Sequence, residues 1–160
     1  MTRTLTLAQP KTYTWSAAFI AANIALPHLF HLIPGGGVMF LPIYFFTLIG
    51  AMRYGWQLGL LTAVMTPIVG NLIFGAPAAA MLPDMLVKGA ALSFVGAFAA
   101  RRFGTSLTVC AVAVATAFAL VGLAEWPFMG AAYAFQDFAT GLPGMAMMTL
   151  GAFLTAKYIK

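Results

Sequence analysis

The sequence predicts an all-α integral membrane protein: one domain over residues 1–160, built as a bundle of six transmembrane helices with both termini cytoplasmic. Three observations carry this. The chain is 62% hydrophobic and only 7% charged, against about 25% charged residues in soluble domains, so it has too few charges to clothe a water-facing surface. Its apolar residues fall in long continuous runs without the ten-residue alternation of a β-barrel. Spanning helices suit such runs, because each backbone group is satisfied within its own segment. Finally, the charges are sorted. Arg3 and Lys11 precede the first run, Arg53 follows the second, Arg101 and Arg102 follow the fourth, and Lys157 and Lys160 close the chain, while Asp84, Glu125 and Asp137 fall in or beside the alternate connections. Lys and Arg mark the cytoplasmic side, which places the protein in the cytoplasmic (inner) membrane.

A span needs roughly 20 apolar residues, and the runs are taken in order. The first covers about residues 15–33, with Pro27 bending its outer end, and no small-residue cleavage site follows it, so it is expected to remain as an anchor. The second, about 38–52, is short, contains Pro42 and starts below the surface or continues a re-entrant segment. The third covers about 56–74. The fourth covers about 83–100, with Pro83 suited to a first helical turn. The fifth covers about 106–123, and the sixth about 137–158, interrupted by Gly141, Pro143 and Gly144. The cytoplasmic connections are tight and basic. The outer ones are longer: Pro34-Gly35-Gly36-Gly37, then 75–82, then a loop from Glu125 to Gln136.

The net charge of +5 does not point to nucleic acid, because the cations are scattered over the cytoplasmic segments and topology accounts for them. The single Cys110 excludes an internal disulfide and reads as a small buried hydrophobe. No G-x-S-x-G, H-E-x-x-H or phosphate-cradling lysine loop is present. The chain is therefore not read as an enzyme, and neither a catalytic residue nor a cofactor is expected.

The polar and aromatic residues gather toward the outer side. Asp84 and Lys88, four apart, can touch, and a cation inside a span is a functional suspect. The pair reads either as a structural helix lock or as the border of a pocket for a ligand carboxylate, phosphate or amide. His28 and His31, at i and i+3, are interfacial caps or ligand contacts; a third metal ligand is not evident, so no metal site is assigned. Asn71 is an interhelical hydrogen-bonding residue or a ligand contact. Glu125, Trp126, Tyr133, Gln136 and Asp137 border the last outer loop, where Trp126 offers a stacking surface and Gln136 a polar contact. Ala17, Ala21 and Ala25 form a smooth stripe on the first helix. Such a stripe packs inside the bundle or docks a partner.

The chain resembles the substrate-binding S component of energy-coupling factor (ECF) transporters, a class of vitamin importers. The resemblance covers nearly the whole chain. It rests on the six runs, on the Ala17-x-x-x-Ala21-x-x-x-Ala25 stripe, and on Phe40-Leu41-Pro42-Ile43-Tyr44-Phe45, Arg53-Tyr54-Gly55-Trp56, Thr66-Pro67, Gly75-Ala76-Pro77 and Met81-Leu82-Pro83. It implies capture of a vitamin or related micronutrient, cobalamin among the candidates, and handover to a membrane T component with two ATPase subunits. It also implies docking through Ala17, Ala21 and Ala25, and ligand contacts from His28, His31, Asn71, Asp84, Lys88, Trp126 and Gln136. The nickel and cobalt members resemble one another in a histidine near the N-terminus; this chain opens Met1-Thr2-Arg3, which disfavours an ion substrate. The expected partners are thus a small organic micronutrient, membrane lipid and the coupling subunits, with no nucleic acid. The alternative from another class is a structural or assembly membrane protein without a small ligand.

Overall fold

The computed structural model describes residues 4–30 and 40–158, with side chains omitted at Leu29 and Phe30. Among these residues the regular structure is helical throughout. In chain order the α-helices are α1 (Pro10–Phe30), α2 (Phe45–Tyr54), α3 (Trp56–Phe74), α4 (Leu82–Phe103), α5 (Leu107–Met129), α6 (Ala131–Thr140) and α7 (Leu142–Tyr158). Short 3₁₀ turns, Pro42–Tyr44 and Ala79–Met81, lead into α2 and α4.

Local chemistry sets several boundaries. Pro83 lies in the first turn of α4, where its missing N–H is not needed. The Ser106 hydroxyl caps α5 by accepting from the Val109 N–H at 3.3 Å, and the first turn's donors are otherwise orphaned. The fifth run is longer than its composition suggests. α5 continues through Pro127 to Met129, and after Gly130 the chain turns into α6, so the expected outer loop from Glu125 to Gln136 is largely helix. The sixth run is two helices, bent by 50° around Gly141.

Among the described residues, three helical segments are long and apolar enough to cross a bilayer: Trp56–Phe74, Ala79–Phe103 and Leu107–Met129. The bent pair of α6 and α7 makes a fourth if it forms one span. α2, with 10 residues, rises about 15 Å, half of a hydrocarbon core about 30 Å thick. It is nevertheless central. Thr47 through Met52 are all buried, and α2 packs against α1, α3, α4 and α7. Leu48, Ile49 and Met52 join Leu92, Cys110, Val114, Phe118, Met145 and Met148 in the core. Cys110 is fully buried, as a small hydrophobe should be.

Beside this apolar core, several polar side chains are buried and many large apolar ones are exposed. Thr12, Ser16, Asn23, Thr47, Thr62, Thr66, Lys88 and Ser93 are buried, whereas Leu72, Phe98, Leu123, Phe128 and Phe135 are exposed. On α1, Thr12, Ser16 and Asn23 turn inward, and Ala17, Ala21 and Ala25 face outward. Asn23 ties three helices: its Nδ2 donates to Thr47 Oγ1 at 3.1 Å and to Thr66 Oγ1 at 3.5 Å, and its Oδ1 accepts from the Phe46 N–H at 2.9 Å. With lipid outside, such bonds and close packing replace the hydrophobic drive between helices.

Among the described residues, the basic side chains other than Lys88 share one end. Leu5 N–H donates to Tyr54 O at 2.8 Å and Leu7 N–H to Gln57 Oε1 at 3.0 Å, bringing the start of α1 to the α2–α3 turn. Arg53 Nη1 donates to Thr155 O at 3.2 Å, bringing in the end of α7. Trp56 stacks on Phe94, with ring centroids 5.3 Å apart, and so holds the start of α3 against the second half of α4.

Close approach of α2 and α3 requires a residue without Cβ. A Cβ on Gly59 would lie 2.6 Å from Ala51 Cβ and 2.9 Å from Ala51 Cα. Gly59→Val is therefore expected to lower stability in detergent by about 1–3 kcal/mol through overpacking, read as a fall in melting temperature. Gly122→Ala is the control: its nearest neighbour would be Ala134 Cβ at 3.9 Å, and its melting temperature should hold or rise slightly.

Candidate functional site: a buried lysine with three carboxyl groups

The end of the bundle opposite the basic end gathers every acidic residue of the chain. α4 begins there. Asp84 sits in its first turn, where the helix dipole favours a negative charge, and Lys88 follows one turn later on the same face. α5 runs in the opposite direction and presents Glu125 near its end, and α6 returns with Asp137. Lys88 Nζ lies 2.8 Å from both Asp84 oxygens, with hydrogen-bonding geometry to Oδ2. It is 3.1 Å from Asp137 Oδ2 and 3.6 Å from Glu125 Oε1. The Lys88 side chain is 5% exposed, against 26% for Asp84 and Asp137 and 13% for Glu125.

The arrangement is unbalanced in two ways. Three carboxyl groups face one ammonium, a formal charge of –2 if all are ionised. Acceptors are also in excess. Asp84 Oδ1 meets only the Lys88 ammonium, at 2.8 Å, and both Glu125 carboxyl oxygens are buried without a backbone, hydroxyl or amide donor among the described residues. Buried acceptors left unpaired are costly. A donor-bearing or positively charged group is what this cluster lacks. An anion would meet three carboxyl groups around a cation that is already engaged. No cluster of three or more His, Cys, Asp or Glu among the described residues has the geometry to hold a metal ion.

The sequence-predicted residues divide. Asp84 and Lys88 are in the cluster. His28 lies on α1, exposed, with Nδ1 2.8 Å from Ile24 O and its ring edge-on to Phe74 at 5.1 Å. His31 lies outside the described residues. Asn71 Nδ2 donates to Pro77 O at 2.7 Å, tying the end of α3 to the following turn. Trp126 is 55% exposed and Gln136 is exposed, and neither joins the ion pairs. Ala17, Ala21 and Ala25 are exposed, so the stripe is not covered by the described bundle.

Glu125 and Asp137 enter the site although sequence reasoning left them at the borders of a loop. The signal that finds them is arithmetic: one cation inside a span and only three acids in the chain. In a low-dielectric medium the acids are drawn to it. Asn23 carried no comparable signal, because a single amide in an alanine-rich helix does not reveal its partners.

Comparison with family models, characterised proteins and solved structures finds no match to this chain.

The cluster predicts a defined mutational pattern. Lys88→Met removes the cation and leaves three carboxyl groups facing one another; it is expected to lower stability in detergent by about 3–5 kcal/mol. Adding Glu125→Gln to Lys88→Met should recover part of that loss, because it removes one of the mutually repelling charges. Chemical unfolding of the single and double variants measures the coupling.

Proposed function

We propose that this protein is the membrane-embedded, substrate-binding S component of a micronutrient importer. It takes a small organic ligand at the acidic end of the bundle and passes it on with a T component and two ATPase subunits. The observation that carries the reading is the buried carboxyl group of Glu125, whose two oxygens lack a backbone, hydroxyl or amide donor among the described residues. They are acceptors left for a donor-bearing ligand, at the end that the charge order assigns to the outside in this reading. A ligand presenting N–H or O–H groups, or a positive charge, satisfies them. The same charge balance disfavours the anionic ligand that Lys88 alone suggests.

In this reading the chain crosses the cytoplasmic membrane six times with both termini inside. α1, α2 with the Pro42–Tyr44 turn, α3, α4, α5 and the bent pair α6–α7 supply the passes. The ties of Leu5, Arg53 and Trp56 at the basic end support this alternation. Ala17, Ala21 and Ala25, small and exposed, suit the docking of a partner helix. His28, Asn71, Trp126 and Gln136 are peripheral contacts for the bound ligand. Among vitamins, the cluster favours cationic or donor-rich molecules; thiamine and cobalamin fit better than pantothenate or biotin.

The second reading, a structural membrane protein, draws on Lys88 itself. An ammonium engaged by three carboxyl groups is a strong tie between α4, α5 and α6, and such a tie is useful without any ligand.

One experiment separates the two: thermal unfolding of purified, ligand-free protein with thiamine, cobalamin, riboflavin, pyridoxine, a queuosine precursor, folate, pantothenate and biotin. A ligand at 100 times its dissociation constant adds about 2.7 kcal/mol. The importer reading expects stabilisation by a cationic or donor-rich member, weakened in Glu125→Gln while the ligand-free melting temperature stays close to wild type. Absence of stabilisation by every member, in protein shown to be folded and unloaded, supports the structural reading.

A further inference from the structure

A second feature lies at the basic end and does not depend on what the acidic end binds. An open groove of about 610 Å³ runs between the start of α3 and the last turns of α4, lined by Trp56, Phe94, Ala97, Phe98, Arg101 and Arg102. Phe94, Phe98 and Arg102 are successive i, i+4 neighbours, and Ala97 and Arg101 form the row beside them, so one helix face grades from aromatic to cationic. Trp56 stacks on Phe94 and forms the opposite wall. The aromatic rings are exposed, Phe98 at 66%, on the apolar exterior of the bundle.

Both guanidinium groups are exposed. No carboxylate side chain is left to pair with them, because all three acids of the chain surround Lys88 at the other end. Two adjacent arginines in a helix's last turn complement its dipole, and their planar donor forks match phosphate oxygens. Basic pockets between membrane helices on the cytoplasmic side suit anionic headgroups. A free phosphate ion would engage the arginines and leave the aromatic wall unused. A phospholipid engages both, with its phosphate at Arg101 and Arg102 and an acyl chain along Phe98 and Phe94.

We propose that the Trp56–Phe94–Phe98–Arg101–Arg102 groove is a binding site for an anionic phospholipid.

The test measures lipid retention on detergent-purified, full-length protein by native mass spectrometry. It compares phosphatidylglycerol with phosphatidylcholine of the same acyl chains and checks the fold by melting temperature. Each cation near an anionic headgroup is worth roughly fivefold in affinity. Wild type is expected to prefer phosphatidylglycerol, and R101Q/R102Q to lose about 25-fold in affinity for it. K11Q/K157Q, which removes two cations outside the groove, should keep the wild-type preference. If the double variant does not fold, R101Q and R102Q separately should each lose about fivefold. Equal affinity for the two lipids, or unchanged affinity in R101Q/R102Q, overturns the proposal. So does an equal loss in K11Q/K157Q, which would make the preference a general surface potential. Displacement of the lipid by equimolar inorganic phosphate would also overturn it, leaving a simple phosphate site.

Discussion

The structure depends on one constraint: a charge withdrawn from water must be matched. Lys88 is the buried cation in the interior, and the chain answers it with its entire complement of carboxyl groups, one each from α4, α5 and α6. A single lysine inside hydrocarbon is costly, and an isolated carboxyl group there is no better. Together they hold each other in place, although a buried ion pair is weak evidence for net stability. Concentrating the acids at one end leaves Arg101 and Arg102 at the other without side-chain carboxylate partners. The protein thus has an acid pole and a base pole, and both proposed binding sites follow from that separation.

Packing obeys the same logic of solvent inversion. Leu72, Phe98, Leu123, Phe128 and Phe135 lie on the outside, while Thr12, Ser16, Asn23, Thr47, Thr62, Thr66 and Ser93 turn inward. The short helix α2 has Thr47 through Met52 buried, packed against α1, α3, α4 and α7. Its enclosure is possible because Gly59 lets α3 come close and because Asn23 supplies an acceptor to the Phe46 N–H at its start. In lipid, a short central helix needs such local bonds, since its neighbours gain little from hiding apolar surface.

The helical class and the segments corresponding to α3, α4 and most of α5 were legible from run length and charge order, because both are direct responses to the bilayer. The pairing of Asp84 with Lys88 was legible from the i, i+4 spacing. Glu125 and Asp137 were not placed correctly from local composition. Pro127, Gly130 and the aromatic residues around them read as a loop, yet α5 carries Pro127 inside it and Gly130 alone makes the break. Helix continuation past a proline depends on tertiary partners that a single sequence does not display. The position of the break in the last run had the same origin: Gly141, Pro143 and Gly144 announced an interruption but not its 50° bend. The inward face of α1 was hidden for a different reason. Its alanines are conspicuous and turn outward, while the residues that bind it to the bundle, Thr12, Ser16 and Asn23, are polar and resemble solvent-facing positions.

The most direct test of this account is the side of the membrane on which each pole lies. In a Cys110→Ala background, a cysteine at Ala80 marks the acid pole and one at Thr105 the base pole, and each is challenged in intact cells with a membrane-impermeant maleimide. The account predicts labelling at Ala80→Cys from outside and labelling at Thr105→Cys only after the cells are opened. External labelling at Thr105→Cys with protection at Ala80→Cys, or equal external labelling at both, would contradict it.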